Sequence, residues 1–225
     1  EETLIANLHQ SAHPVSGYVK NITSKENQYQ YTERGTLADT THNTSACNLD
    51  YGLTAQDWDV IVIQPYCWQS YSATDGPDGE QFKSASNYAD IATLANYAKA
   101  TTTNPKAKLA FYQIWSRPFD YLKFNNASDH VWNGGYIDGL SSQYVCQQIV
   151  RAYDYSEGTS PFDYYVPVGT AIENARLTFL EETPMKDTLT SYKNAVGSGL
   201  NSDNIHLNSW GSFIDGMAFV KALTG

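Results

Sequence analysis

No apolar run in the chain comes near the ~20 residues that a membrane-spanning helix needs, so no membrane segment is expected. Basic residues are scarce: Lys and Arg number 14 against 24 Asp and Glu, a formal net charge of −10 at pH 7. A surface that acidic repels phosphate backbones, which argues against nucleic acid as a partner and leaves neutral ligands easier to accept. Cysteine is limited to Cys47, Cys67 and Cys146. An odd count rules out a fully paired set within one chain, and the spacing is not that of a metal site. No internal repeat or break in composition divides the chain, so residues 1–225 read as a single domain. The chain carries no signal peptide and begins at Glu1 rather than Met, the pattern of a trimmed or truncated product.

What is present points to a folded protein. Hydrophobic residues make up 41%, enough for a core and too many for a disordered chain. Aromatics are plentiful, with 17 Tyr and 5 Trp. Most belong in a core, but an exposed Trp or Tyr also stacks on the apolar C–H face of a sugar ring. Three Asn-x-Ser/Thr triplets, at Asn21, Asn43 and Asn126, matter only in a chain secreted by a eukaryote.

Strand and helix patterns alternate. "TLIANL" (3–8) reads as a short strand. Residues 9–57 form a polar excursion with a short helix and a hairpin around "YQYTERG". "WDVIVIQ" (58–64) is a continuous β-branched run, the signature of a parallel strand buried on both faces. After the loop "SATDGPDG", Phe82, Ala85, Ala89, Ala92 and Ala95 fall at helical spacing. Asn104-Pro105 ends that helix. "AKLAFYQIW" (107–115) is the next strand; Ile137, Leu140 and Tyr144 begin a helix reaching about 154; "FDYYVPV" (162–168) is a further strand, and "GTAIENARLTFL" a helix behind it. In the last helix Trp210, Phe213, Ile214, Met217 and Ala218 lie on one face, with Asn208 or Ser209 as cap. Alternation of this kind predicts an α/β fold with a parallel sheet and helices on both faces.

Ligands of open parallel sheets bind beyond the carboxyl ends of the strands. Gln64, the residues after Trp115, and Gly169 fall there. Asp203 and His206 stand on a loop before the last helix. A carboxylate at that spacing can accept the Nδ1 hydrogen of the imidazole, fix its tautomer and leave Nε2 as a base. Trp115, at a strand end, is a substrate-contact candidate. Arg176 is a second, although Glu173 can pair with it locally. His9 and His13 are four apart, but Pro14 and the strand before it exclude helical metal spacing. No metal or cofactor is expected.

Asp203-Asn204-Ile205-His206-Leu207, with "DWDVIVIQ", "NPKAKLAFYQIW" and "VPVGTAIENAR", resembles the SGNH/GDSL hydrolase superfamily. More closely, the chain is similar to a bacterial family of secreted SGNH-like proteins of gut carbohydrate degraders, from about residue 3 to 225. The resemblance implies a flavodoxin-like three-layer α/β/α fold and ester hydrolysis, with acylated carbohydrates as substrates. It implies a secreted, cell-surface or periplasmic location. Carried over by position, His206 is the base, Asp203 its orienter and Gln64 an oxyanion donor.

The sequence departs from that pattern at the nucleophile. "TLIANLHQSAHPV" resembles the family's second strand and block, and no Gly-Asp-Ser or Gly-Asn-Ser occurs. The usually glycine-rich second block reads Ser11-Ala12. Three readings stay open: a family segment of about 25 residues bearing the serine lies outside this chain; the chain is a non-catalytic, carbohydrate-binding or surface protein on the same fold; or Ser11 substitutes, with Ala12 as an oxyanion-block residue. In the order 2-1-3-4-5 the first strand is central. The expectation is therefore that another segment fills its place or that "TLIANL" pairs directly with "WDVIVIQ". His206 and Asp203 are expected to share a hydrogen bond near Gln64.

Overall fold

A computed structural model describes residues 3–11, 13–35, 41–64, 85–115, 161–172, 174–175, 200, 202 and 206–225. The elements are β1 (Leu4–His9), α1 (Val15–Ser24), β2 (Tyr29–Gly35), β3 (Thr41–Cys47), α2 (Leu49–Thr54), β4 (Val60–Ile63), α3 (Ala85–Thr101), β5 (Lys108–Tyr112), β6 (Tyr164–Val166) and α4 (Ser209–Thr224). A further helical segment begins at Val168.

The expected parallel sheet is formed by β4, β5 and β6, in that order. Ile61 pairs with Leu109, Ile63 with Phe111, and Tyr112 with Val166. β5 is central, and its alternation feeds two cores. Leu109 and Phe111 join Ile63 and the α3 residues Ile91, Leu94, Ala95 and Ala98 on one face. Ala110 and Tyr112 join Val166, Val168 and Ile172 on the other, where Ile214, Ala218 and Phe219 of α4 pack. Helices on both faces explain why "VIVI" and "LAFY" carry no polar alternation. The protein is a mixed α/β fold.

"TLIANL", expected as a strand of the parallel sheet, either next to β4 or separated from it by another segment, lies elsewhere. β1 pairs antiparallel with β2, and β2 antiparallel with β3. Leu4, Ala6 and Leu8 are half-buried while Ile5 and Asn7 are exposed. That period of two suits an antiparallel sheet with one face in water. Ala6 and Leu8 still reach the core shared by Tyr29, Tyr31, Ile63 and Leu109. Among the described residues no strand pairs with the second edge of β4. The hairpin expected around "YQYTERG" is β2–β3.

Two helix faces differ from expectation. In α3 the expected Ala89 is exposed and Ala92 half-buried; Ile91, Leu94, Ala95 and Ala98 point inward. The larger side chains decide the face because they remove more apolar area from water. In α4, Ile214 and Ala218 pack inward as expected, but Trp210, Phe213 and Met217 are exposed. The helix expected over 137–154, its residues Ile137, Leu140 and Tyr144, and Phe82 lie outside the described residues.

Asn21 ties the first half together. It is fully buried; its Oδ1 accepts from Leu49 N–H at the start of α2 (3.0 Å), and its Nδ2 donates to the Glu26 carbonyl (2.9 Å). The first Asn-x-Thr triplet therefore has its amide engaged inside the protein. Asn43 is exposed on β3, and Asn126 lies outside the described residues. A cluster of Lys25, Asp50 and Tyr97 links α1, α2 and α3 nearby: Lys25 pairs with Asp50 at 2.7 Å, and the Tyr97 hydroxyl donates to Asp50 at 2.5 Å. Burial pushes the Asp50 carboxyl up, but the hydrogen bonds from Lys25 and Tyr97 outweigh it and hold it below its ordinary value.

Asn21→Ala removes both buried hydrogen bonds and leaves a helix N–H and a carbonyl unpaired. It should cost about 2–4 kcal/mol, read as a lower urea midpoint. An unchanged midpoint would show that Asn21 is not the tie.

Candidate functional site at the carboxyl edge of the parallel sheet

β5 and β6 stay hydrogen-bonded one step past their ends. Gln113 N–H donates to the Val166 carbonyl and Gly169 N–H to the Gln113 carbonyl, each at 3.0 Å. The Gln113 side chain is buried. Its Oε1 accepts from both the backbone N–H and the hydroxyl of Thr170 (2.9 Å each), while its Nε2 has no partner among the described residues. A Cβ at position 169 would collide with the Ile114 carbonyl oxygen, so glycine allows this close approach.

Gln64 follows the last residue of β4 and is exposed. By strand alternation it emerges on the face of Val60 and Val62, the α4 face. Trp115 is half-buried three residues past β5, its ring edge-on to Tyr112 at 6.3 Å between centroids. Tyr112 in turn packs against Phe219 of α4 at 5.4 Å.

His206 stands on a segment hydrogen-bonded back on itself ahead of α4. Ser202 N–H donates to the His206 carbonyl at 2.8 Å, and Asn208 N–H to the Leu200 carbonyl at 3.0 Å. Leu207 packs against the cluster of Tyr112, Val166, Val168 and Ile172. The His206 side chain is exposed. Asn208 caps α4 as expected, its Oδ1 accepting from Trp210 N–H (2.9 Å) and Gly211 N–H (3.0 Å). The Leu200 carbonyl presses on Gly211, where a Cβ has no room. The loop bearing His206 is thus clamped to the first turn of α4.

Asp203, Ala12 and Arg176 lie outside the described residues. Ser11 is exposed, in a turn closed by His13 N–H on the Gln10 carbonyl (3.2 Å) after β1. It belongs to the antiparallel sheet, whereas Gln64, Trp115 and the His206 loop belong to the parallel one. His13 beside it makes edge contacts with Tyr18 and Tyr29, and its Nε2 lies 3.3 Å from the Tyr29 hydroxyl. Burial pulls the His13 imidazole below its ordinary value. Burial also pushes the Tyr18 phenol up to about 12.

Sequence reasoning missed the Tyr112–Asp215 pair. Tyr112 is buried beside Asp215 of α4, whose Oδ1 is buried with no hydrogen-bond partner among the described residues, in an otherwise apolar interface. Burial raises the Asp215 carboxyl above its ordinary 3.8, although the Tyr112 contact pulls the other way. The available signal was a single acid inside the apolar run "SFIDGMAFV". Among the described residues no group of three or more His, Cys, Asp or Glu could hold a metal ion, and no helix is long and apolar enough to cross a membrane.

The fold and this edge define an α/β protein whose candidate site is built at the carboxyl ends of three parallel strands. Residues 2–194 match the family described as a domain of unknown function, DUF4886. The chain belongs to that family. A crystal structure of a DUF4886 family protein from Bacteroides uniformis ATCC 8492 is similar, with a TM-score of 0.66 and 21% identity, over 98% of this chain and 71% of that one. At that identity the likeness speaks for the fold alone. No curated protein matches the chain.

Two predictions follow from the clamp and the buried acid. Gly211→Ala should cost about 1–3 kcal/mol, because the added methyl drives Leu200 and its loop off α4. A native-like melting temperature would refute the clamp. Because the folded-state pKa of Asp215 is raised, its share of stability is full below 3.8 and is lost as pH rises through the folded value. Asp215→Asn, which cannot ionise, should therefore gain on the native chain as pH rises across that window. Parallel pH–stability curves for the two proteins would contradict the burial.

Proposed function

We propose that the chain is the scaffold of an SGNH-type serine esterase that removes acyl groups, acetyl among them, from carbohydrate outside the cytoplasm. In this reading the fold is flavodoxin-like and residues 1–225 act as one domain. The observation that supports it is the clamped loop, which holds the segment bearing His206 to the first turn of α4, the helix that packs on the face of the sheet carrying Val60 and Tyr112.

The chemistry assigns each residue a task. A serine oxygen attacks the ester carbonyl as His206 Nε2 takes its proton. Asp203 accepts the Nδ1 hydrogen and stabilises the imidazolium. The Gln64 amide donates to the oxyanion. His206 then protonates the departing sugar oxygen, and water, deprotonated by His206, releases the acid. Trp115 offers a ring face to the sugar and Arg176 a cation to its oxygens. No cofactor is required. The partner is a small-molecule or polysaccharide ester.

The serine comes from a strand outside this chain that pairs with the free edge of β4. Two features support that source: the four apolar residues of β4 lack a second neighbour among the described residues, and Val62 is 38% exposed. Ser11 is the weaker source, since its turn follows a strand of the other sheet. A second reading, a non-catalytic carbohydrate-binding protein, is favoured by the lack of any Gly-Asp-Ser or Gly-Asn-Ser in the sequence.

The test is acetate release from acetylated oligosaccharide by the protein expressed from its full reading frame. His206→Ala should lower the rate by about 100- to 10,000-fold, and Asp203→Ala by less. An undiminished rate in His206→Ala would remove the assignment. Oligosaccharide binding without acetate release would establish the second reading.

A further inference from the structure

Gln113 stands one residue past the end of β5, the central strand, and is 2% exposed. The Thr170 N–H can only donate, so the Gln113 atom 2.9 Å from it is the carbonyl oxygen Oε1, which also accepts from the Thr170 hydroxyl at 2.9 Å. Nε2 is then the other end of the same planar amide, and it carries two N–H donors. It is buried, with no hydrogen-bond partner among the described residues. The oxygen half of the side chain ties β5 to the helical segment that begins at Val168. The nitrogen half makes no bond within the described fold, and a buried donor left without an acceptor lowers stability.

We infer that Gln113 Nε2 is a substrate-binding donor that takes an uncharged acceptor oxygen of the sugar ester. The naming of that ligand rests on the esterase reading. Three observations choose the role. The first is place: the carboxyl end of a parallel strand is where ligands of such sheets bind, and Trp115, the ring proposed for the sugar, is two residues farther on. The second is a fixed direction. Two hydrogen bonds to Thr170 hold the amide, and its Cγ and Cδ lie against Gly169, 3.2 Å from where a Cβ would stand. A donor held by its neighbours in this way loses little freedom when a ligand arrives. The third is charge. N–H donors take an acceptor and not a cation. The groups against the amide, Gly169 and Thr170, are uncharged, and the chain carries a net charge of −10. An anion finds no counter-charge there, whereas a hydroxyl, ether or carbonyl oxygen needs none.

The test is a titration of the protein, expressed from its full reading frame with ¹⁵N-labelled glutamine, with the acetylated oligosaccharide of the turnover assay. The Gln113 side-chain amide, assigned through its own side-chain carbons, should shift downfield. That of Gln56, whose Nε2 donates to Glu33 of β2, should stay in place. Gln113→Glu keeps an oxygen for Thr170 and replaces the donor by an acceptor. At pH 8 it should weaken binding of the same probe, measured by calorimetry, about 10- to 100-fold. The titration of the native protein decides the matter if that variant does not fold. A probe that fails to bind, or that binds with the Gln113 amide unmoved, overturns the inference. So does a folded Gln113→Glu protein that binds as the native one does. A nuclear Overhauser contact from Nε2 to a bound water that persists in the complex also overturns it, since water then satisfies the donor. A shift at Gln113 without acetate release upholds the inference and sinks the esterase reading; acetate release with the amide unmoved does the reverse.

Discussion

Everything described around the site depends on β5 being buried on both faces. Leu109 and Ala110 have no exposed surface, and Phe111, Tyr112 and Gln113 have almost none. A strand in that position must satisfy its backbone through neighbours, because each buried unpaired group costs about 1–3 kcal/mol. β4 and β6 supply those hydrogen bonds, and their register follows from β5. Burial on both faces also fixes which side chains can touch. Residues of one parity meet α3, and residues of the other meet α4. Tyr112, Trp115 and Phe219 come together because Tyr112 is the last residue of the second set.

The two edges of the sheet are finished differently. At the amino edge, Asp163 accepts from the buried Leu109 N–H at 2.9 Å and sits beside Lys108 and Lys99. The Leu109 N–H holds its carboxyl below the ordinary range; burial, the next largest effect, opposes it, and Lys108 and Lys99 add to the lowering. Its contribution is therefore present above 3.8 and fades as pH falls through the folded value. The carboxyl edge has no such neutralised finish. Among the described residues it ends in Gln64 and in the Gln113–Thr170 clasp. Gln113 Nε2, buried with no partner among the described residues, is an unspent hydrogen-bonding group at that edge, the kind of group a binding site needs.

The parallel strands were legible because a strand buried on both faces reads as an unbroken apolar run. Their short length and the β-branched and aromatic residues of "VIVI" and "LAFY" favour a strand over a helix segment. The cap at Asn208 was legible for the same kind of reason: an Asn before an apolar helix has one strong use. The placement of β1 was not. "LIANLH" reads equally as a parallel or an antiparallel strand, and the half-polar alternation that distinguishes them is weak when Ala and Asn share it. The inward face of α4 was only partly legible, because a helix apolar on two sides has no single face to read. Gln64 and Trp115 were placed from strand ends, which hydrophobic pattern locates well. The Tyr112–Asp215 pair depends on a contact more than 100 residues apart in sequence, which no local pattern encodes. Asp203, Ala12 and Arg176 fall outside the described residues, so their places rest on the sequence alone.

The central claim is that the His206 loop is held firmly to the start of α4 and is not a loose surface turn. Native-state hydrogen exchange measures this directly at two amides, Ser202 N–H and Asn208 N–H, which donate to His206 and Leu200. If the loop is clamped, both should open with free energies close to those of the Gln113 and Gly169 amides in the strand extension. Exchange at the rate of an unprotected loop, with Gln113 and Gly169 still protected, would contradict the account.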